Sequence, residues 1–370
     1  MFPGLPGGIR TRLVPGVNGL TMHALEAGDE GRPCVLLLHG FPELAYSWRK
    51  VMLPLAQAGY YVVAPDQRGY GRTTGWDTSY DGDWGAARAL NLARDTLGLV
   101  HALGLKSVAA VAGHDFGAMV AAWSALARPD VFRSLVLMSA PFAGPPALQP
   151  DGSVPSTERL NEQLGALTPP RKHYQWYYGT REANADMHRC AQGVHAFLRA
   201  YFHHKSADWA ANKPVPLASW DAAEIARMPT YYIMERDKDM AATVAAEMPS
   251  TPNAWLTEEE LRVYSTEYER TGFQGGLNWY RCRLGGRFTA EQQLYSGRSI
   301  DVPACFIAGR SDWGIYQRPG DLEKMQRTAC SRLLATLLVE GAGHWVQQEQ
   351  PAELVGLLLE FLRSAPVRAA

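Results

Sequence analysis

The sequence predicts an α/β protein: a mostly parallel central sheet flanked by helices, with an inserted, mainly helical cap. Three observations carry this. Short continuous apolar runs, each closed by a polar segment with Gly or Pro, recur in the first and last parts of the chain, as strands buried on both faces do. Between them, from Gly144-Pro145-Pro146 onward, a long stretch rich in Tyr, Trp and His lacks that signature and reads as helices and long loops. At 370 residues the chain is long enough to bury a large core plus an inserted lobe.

Taken in order, Val17-Asn18-Gly19-Leu20 carries an Asn-Gly turn and opens the chain with an antiparallel hairpin. Cys34–Leu38 is an apolar run ending in His39-Gly40, and 60–64 is another ending in Pro65-Asp66. Residues 88–103 place apolar side chains at helical spacing. A third run, 107–112, ends in Gly113, a helix follows over 116–126, and 134–138 is a fourth run. The strand pattern resumes at 302–308 and Leu333–Val339, and an apolar helix closes the chain at 353–362. The expected organisation is core over 1–142, helical cap over 143–298, and core again over 299–370.

Composition removes several function classes. With 46% hydrophobic and 20% charged residues and a formal net charge of −1, the chain lacks the basic excess that nucleic-acid binding demands. No apolar stretch is long enough to span a bilayer, and Met1-Phe-Pro-Gly-Leu-Pro-Gly-Gly has no secretion-signal pattern. The five cysteines show no CxxC spacing and read as reduced thiols. His195 and His203-His204 lack acidic or thiol partners at ligand spacing, so no metal is expected. The expected location is the cytoplasm.

In a parallel sheet the polar residues just after each strand gather at one edge, where ligands bind. Here those segments are His39-Gly40-Phe41-Pro42-Glu43, Gly113-His114-Asp115-Phe116-Gly117, Gly309-Arg310-Ser311-Asp312 and Gly341-Ala342-Gly343-His344-Trp345. Gly113-x-Asp115-x-Gly117 is a nucleophile elbow with Asp where lipases and esterases carry Ser. The helix after it is expected to aim its N-terminal N–H groups at the carboxylate and favour the ionised form. The chain order Asp115, Asp312, His344 fits a nucleophile, an orienting acid and a general base. No acid follows the 134–138 run to compete with Asp312. His39 and His114 are read as loop buttresses, Asp66 as a turn cap and Glu43 as a polar loop or helix-start residue.

Together, His39-Gly-Phe-Pro-Glu43, Ala64-Pro-Asp-Gln-Arg-Gly-Tyr-Gly71, Gly113-His-Asp-Phe-Gly117, Ser311-Asp312 and Gly343-His344 resemble the α/β-hydrolase-fold epoxide hydrolases over essentially the whole chain outside the cap. Within the cap, Tyr174-Gln175-Trp176-Tyr177 and Asn278-Trp279-Tyr280-Arg281 match the segments that carry the two tyrosines of that family. The resemblance implies that Tyr174 and Tyr280 polarise an epoxide oxygen while Asp115 forms a covalent ester. The backbone N–H groups of Phe41 and Phe116 are then the expected oxyanion hole. No cofactor is required. The cap aromatics suggest an apolar or aryl-substituted epoxide, and although a homodimer is common in the family, the sequence leaves oligomeric state open. The alternative is a haloalkane or haloacid dehalogenase with the same Asp-His-Asp triad. It is weakened by Phe116, which offers no side-chain donor where such enzymes commonly carry Trp or Arg. A catalytically idle relative is disfavoured because all three triad positions are filled, and an esterase because position 115 is not Ser.

Overall fold

A computed structural model describes residues 4–149 and 158–365. The chain opens with β1 (Arg10–Val17) and β2 (Leu20–Ala27), the expected antiparallel hairpin. Asn18 and Gly19 both have positive φ, 49° and 83°, as a two-residue hairpin turn requires. β3 (Cys34–Leu38), β4 (Tyr61–Pro65), β5 (Ala110–His114) and β6 (Leu135–Met138) follow. A two-stranded ribbon of β7 (Arg171–His173) and β8 (Ile233–Glu235) comes next, then β9 (Ala304–Gly309) and β10 (Leu333–Val339). The main sheet runs β1-β2-β4-β3-β5-β6-β9-β10, antiparallel only at the β1–β2 and β2–β4 pairings.

Alternation explains why these runs are apolar throughout. Cys34, Leu36 and Leu38 of β3 enter one apolar cluster, Val35 and Leu37 the other. The first cluster lies against α2 (Ala89–Ala102) and α3 (Phe116–Ala127), the second against α1 (Arg49–Gln57) and the last helix. With both faces covered, each buried Leu or Val contributes about 1.5–3 kcal/mol. β10 departs from this picture. It reads as apolar as the others, yet it is an edge strand, and Leu334 is 49% exposed.

Between β6 and β9, none of the described residues adds a strand to the main sheet. This segment carries α4 (Glu158–Gly165), α5 (Tyr174–Tyr178), α6 (Glu182–His188), α7 (Gly193–His204), α8 (Ala222–Ile225), α9 (Met240–Ala245), α10 (Glu258–Thr271), α11 (Gln274–Arg283) and α12 (Thr289–Gln293). The β7–β8 ribbon corrects the expectation of helices and loops alone, since a three-residue strand holds too few alternations to read from sequence. After β9 come α13 (Asp321–Lys324), α14 (Val346–Glu349) and α15 (Pro351–Ser364).

One contact fixes α11 on the core. A side-chain carbon on Gly275 would lie 2.0 Å from the carbonyl oxygen of Gly69, so only glycine permits this approach. Trp279 of the same helix donates its indole N–H to the carbonyl of Arg68 (3.0 Å), and the Arg68 guanidinium is itself held by Asp95 through two 2.7 Å bonds. Gly275→Ala is therefore expected to lower stability by about 1–3 kcal/mol, checked by urea denaturation beside the wild type.

Candidate active site

Asp115 stands at the turn from β5 into α3, with φ 54° and ψ −120°. A non-glycine residue there costs on the order of 1–3 kcal/mol, and close packing enforces it. A Cβ on Gly113 would meet the Gly117 carbonyl at 2.1 Å, and one on Gly117 would meet the Leu38 carbonyl at 2.4 Å. Gly40 is held as tightly, because a Cβ there would fall 2.4 Å from the Cβ of Asp115. The flanking glycines thus let two loops and a helix end close on one carboxylate.

That carboxylate is buried. Its Oδ1 accepts the backbone N–H of Phe41 at 3.1 Å, and its Oδ2 lies 3.5 Å from Nε2 of His344. Burial alone would raise the Asp115 carboxyl, but His344, Lys205 and His114 outweigh it and hold the group well below the usual carboxylate range. The expectation that the first N–H groups of α3 bind this carboxylate is not met: the side chain makes no capping hydrogen bond. The N–H of Phe116 makes no hydrogen bond among the described residues.

The remaining strand ends complete the site. Nδ1 of His344, on the loop after β10, lies 3.0 Å from Oδ1 of Asp312, on the loop after β9. Ser139, just after β6, places its hydroxyl 2.9 Å from the same nitrogen. Burial would raise the Asp312 carboxyl; His344, with Ser139 and the Gly314 N–H at 2.7 Å, holds it low instead. Asp312 and Asp115 thus face opposite sides of one imidazole.

The insertion supplies the opposite wall. Tyr174 and Tyr280 are buried, with ring centroids 5.8 Å apart. Tyr280 packs edge-on against Phe116 (4.6 Å) and Phe41 (5.5 Å), the two residues that flank the Asp115 carboxylate. Tyr174 donates to Oε1 of Gln317 (3.1 Å) and accepts from the amide of Gln175 (3.0 Å). Burial and Asp115 raise the Tyr174 phenol; burial, Tyr174 and Asp115 raise that of Tyr280 well above its ordinary value, so both stay protonated. The neighbouring tyrosines are engaged elsewhere, Tyr177 with Asp186 (2.8 Å) and Tyr178 with the hydroxyl of Tyr201 (3.3 Å).

Several residues read from sequence as bland hold this arrangement together. Glu43 is fully buried and bonds Nδ1 of His114 (2.6 Å), while its other oxygen accepts the amides of Gln347 (2.8 Å) and Gln348 (3.1 Å). Nε2 of His114 faces the His344 carbonyl at 2.6 Å. With an acceptor at each nitrogen, His114 is an imidazolium, and Glu43 raises it against the opposing effect of burial. Asp66 joins separate loops by accepting from His23 (2.7 Å), Ala45 (2.9 Å) and Arg72 (3.0 Å). Glu349 accepts the N–H groups of Ala207 (2.8 Å), Gly343 (2.9 Å) and Trp345 (2.9 Å), tying the segment after α7 to the His344 loop. Only the five-residue spacing from His344 to Glu349 hints at this in the sequence, and it points to no role by itself.

An Asp at the strand-to-helix elbow, with an acid and a late histidine on this strand order, defines the class as an α/β hydrolase. The family model described as the alpha/beta hydrolase fold matches residues 33–351. The chain is 34% identical to epoxide hydrolase A of Mycobacterium tuberculosis over 98% of its own length and 100% of that protein. It is 32% identical to epoxide hydrolase 2 of Siraitia grosvenorii over 94% and 96%. The crystal structure of epoxide hydrolase A from Mycobacterium thermoresistibile superposes with a TM-score of 0.78 at 32% identity, covering 97% of this chain and 100% of that one. Potato epoxide hydrolase I (Solanum tuberosum) gives 0.73 at 30% identity over 96% and 99%. The chain belongs to the α/β-hydrolase-fold epoxide hydrolases, enzymes that hydrolyse an ether bond.

Burial raises the Glu349 carboxyl from 4.5 to about 7 against the pull of its three N–H donors. The folded state therefore binds the extra proton between those values, and Glu349's contribution to stability falls as pH rises through about 7. In Glu349→Gln that slope disappears. From pH 5 to 8 the stability difference should move in the variant's favour by about 1–3 kcal/mol, read from urea midpoints across the range.

Proposed function

We propose that the chain converts an epoxide to a vicinal diol through a covalent ester on Asp115. The observation that carries this reading is the opposed placement of groups: an ionised carboxylate held by the Phe41 N–H on one wall, two protonated phenols on the other. An epoxide needs both at once, a nucleophile at carbon and a proton donor at oxygen. We assign 143–298 the part of a cap that brings the phenols over the core.

In the first half-reaction Oδ2 of Asp115 attacks an epoxide carbon and the C–O bond breaks. The oxygen that leaves that carbon takes a proton from Tyr174 or Tyr280. Oδ1 becomes the ester carbonyl oxygen, already beside the Phe41 N–H, with the free N–H of Phe116 as second donor. In the second half-reaction His344 takes a proton from water as the water oxygen attacks Cγ of Asp115. The tetrahedral oxyanion sits on those two N–H groups. Collapse breaks the bond between Cγ and the diol oxygen, which takes the proton back from His344; Asp115 emerges as the carboxylic acid, and its proton restores the phenol that the first half-reaction left as a phenolate. Asp312 and Ser139 keep the imidazole oriented and favour its cationic form.

The wall of Tyr174, Tyr178, Tyr280, Phe41 and Phe116 is apolar apart from its phenol oxygens, which suits an aryl-substituted or otherwise apolar epoxide. The Phe116 ring gives a halide no hydrogen bond, so nothing at that position favours dehalogenation.

The deciding experiment offers styrene oxide, a chloroalkane and fluoroacetate in parallel. Diol without halide is expected, and halide without diol would overturn the reading. Asp115→Ala should lose turnover by at least about a thousandfold. His344→Gln should trap the ester, seen by intact-protein mass spectrometry as a gain equal to the whole epoxide. Tyr280→Phe should slow alkylation in single-turnover kinetics by about ten- to a hundredfold while changing ester hydrolysis less.

A further inference from the structure

Lys205 follows the last residue of α7, and no sequence motif draws attention to it. It is 3% exposed, yet its ammonium makes no ion pair or hydrogen bond among the described residues. It sits instead among four rings: Tyr232 at 5.2 Å, Trp345 at 5.4 Å, Tyr201 at 5.5 Å and Tyr231 at 5.7 Å from their centroids. Its backbone is part of the site as well, because the Lys205 carbonyl accepts the N–H of His344 at 2.9 Å.

Ring faces stabilise a cation modestly and do not replace its lost hydration. What retains the charge is the field of the carboxylates nearby. Burial lowers the Lys205 ammonium, opposed by Asp115, Asp312 and Glu43, in that order. The same three are the buried acids of the site, and His114 is its other cation. Tyr174, Tyr201, Tyr231 and Tyr232 around the group are raised and neutral, as is His204, whose imidazole burial lowers to about 3. Glu349 lies behind the loop, bonded to Ala207 and Trp345.

We propose that Lys205 is a positioning residue for the second half-reaction: its caged ammonium balances the buried carboxylates, so that His344 is free to take a proton from water. This rests on the ester mechanism above. Before reaction three carboxylates face two cations. Alkylation by a neutral epoxide leaves that total unchanged, because the charge Asp115 gives up as the ester passes to the phenol that donated its proton. Asp312, Glu43 and the phenolate then face Lys205 and His114 while His344 draws its proton from water. Without Lys205 a second negative charge is uncompensated at that moment, and a proton is retained on the imidazole that must be empty to act.

The test compares Lys205→Met, Lys205→Gln and Lys205→Arg with the wild type on styrene oxide. In Met and Gln the acidic limb of the kcat–pH profile should move up by about one unit or more, a tenfold or greater loss on that limb. The ester should accumulate, read by rapid quench and intact mass, because ester hydrolysis slows more than alkylation does. Arg should restore both. The two neutral variants guard against one failing to fold, and melting curves accompany each. An unmoved limb with ester hydrolysis within twofold of wild type, or an Arg variant that behaves like Met, would overturn the proposal. A lower melting temperature with an unmoved limb would assign Lys205 to packing alone. A wild-type chain that makes no diol would instead overturn the epoxide reading.

Discussion

Burying several carboxylates in one sealed interior is the constraint on which this structure turns. Asp115, Asp312 and Glu43 lie under the insertion with almost no access to water. An isolated buried carboxylate would neutralise itself by taking up a proton, so each of these needs donors and nearby positive charge. Asp115 has the Phe41 N–H and His344, Asp312 has His344, Ser139 and Gly314, and Glu43 has His114 and two glutamine amides. His114 occupies the interior as a counter-charge as much as a hydrogen-bond partner.

The parallel sheet meets this constraint economically. Strands β3, β5, β6, β9 and β10 end at the same edge, and the residue or loop after each reaches one imidazole or one carboxylate. Because both sheet faces are packed, the strand ends cannot drift, and the strained turn at Asp115 is held by backbone contacts on three sides. α11 is pinned separately through Gly275 and Trp279, which sets Tyr280 against Phe116 and Phe41.

Much of this was legible in the sequence for identifiable reasons. The strands stood out because continuous apolar runs between turn residues are the mark of double burial, and β3 and β10 coincide with their expected bounds. Asp115, Asp312 and His344 were legible because their order and the glycines around the elbow are tied to local backbone geometry. Tyr174 and Tyr280 were legible only through resemblance, since sixteen tyrosines offer no internal criterion. What escaped depends on contacts distant along the chain. Glu43 meets Gln347 across 304 positions, and Lys205 gains its meaning from rings at 201, 231, 232 and 345. The β7–β8 ribbon was too short to show a period, and edge position, as for β10, leaves no trace in an apolar run.

The link between the segment after α7 and the His344 loop has a consequence for the architecture as a set of parts. The main chain of His344 hangs from the Lys205 carbonyl, and Glu349 grips Ala207 with one hand and the flanks of His344 with the other. The insertion is thus no interchangeable cover that can be grafted between related scaffolds for a new pocket shape. A transplanted lid lacking this clasp would arrive with its pocket intact and leave the histidine without its seat, so recombination has to move 205–207 and 343–349 as one inheritance.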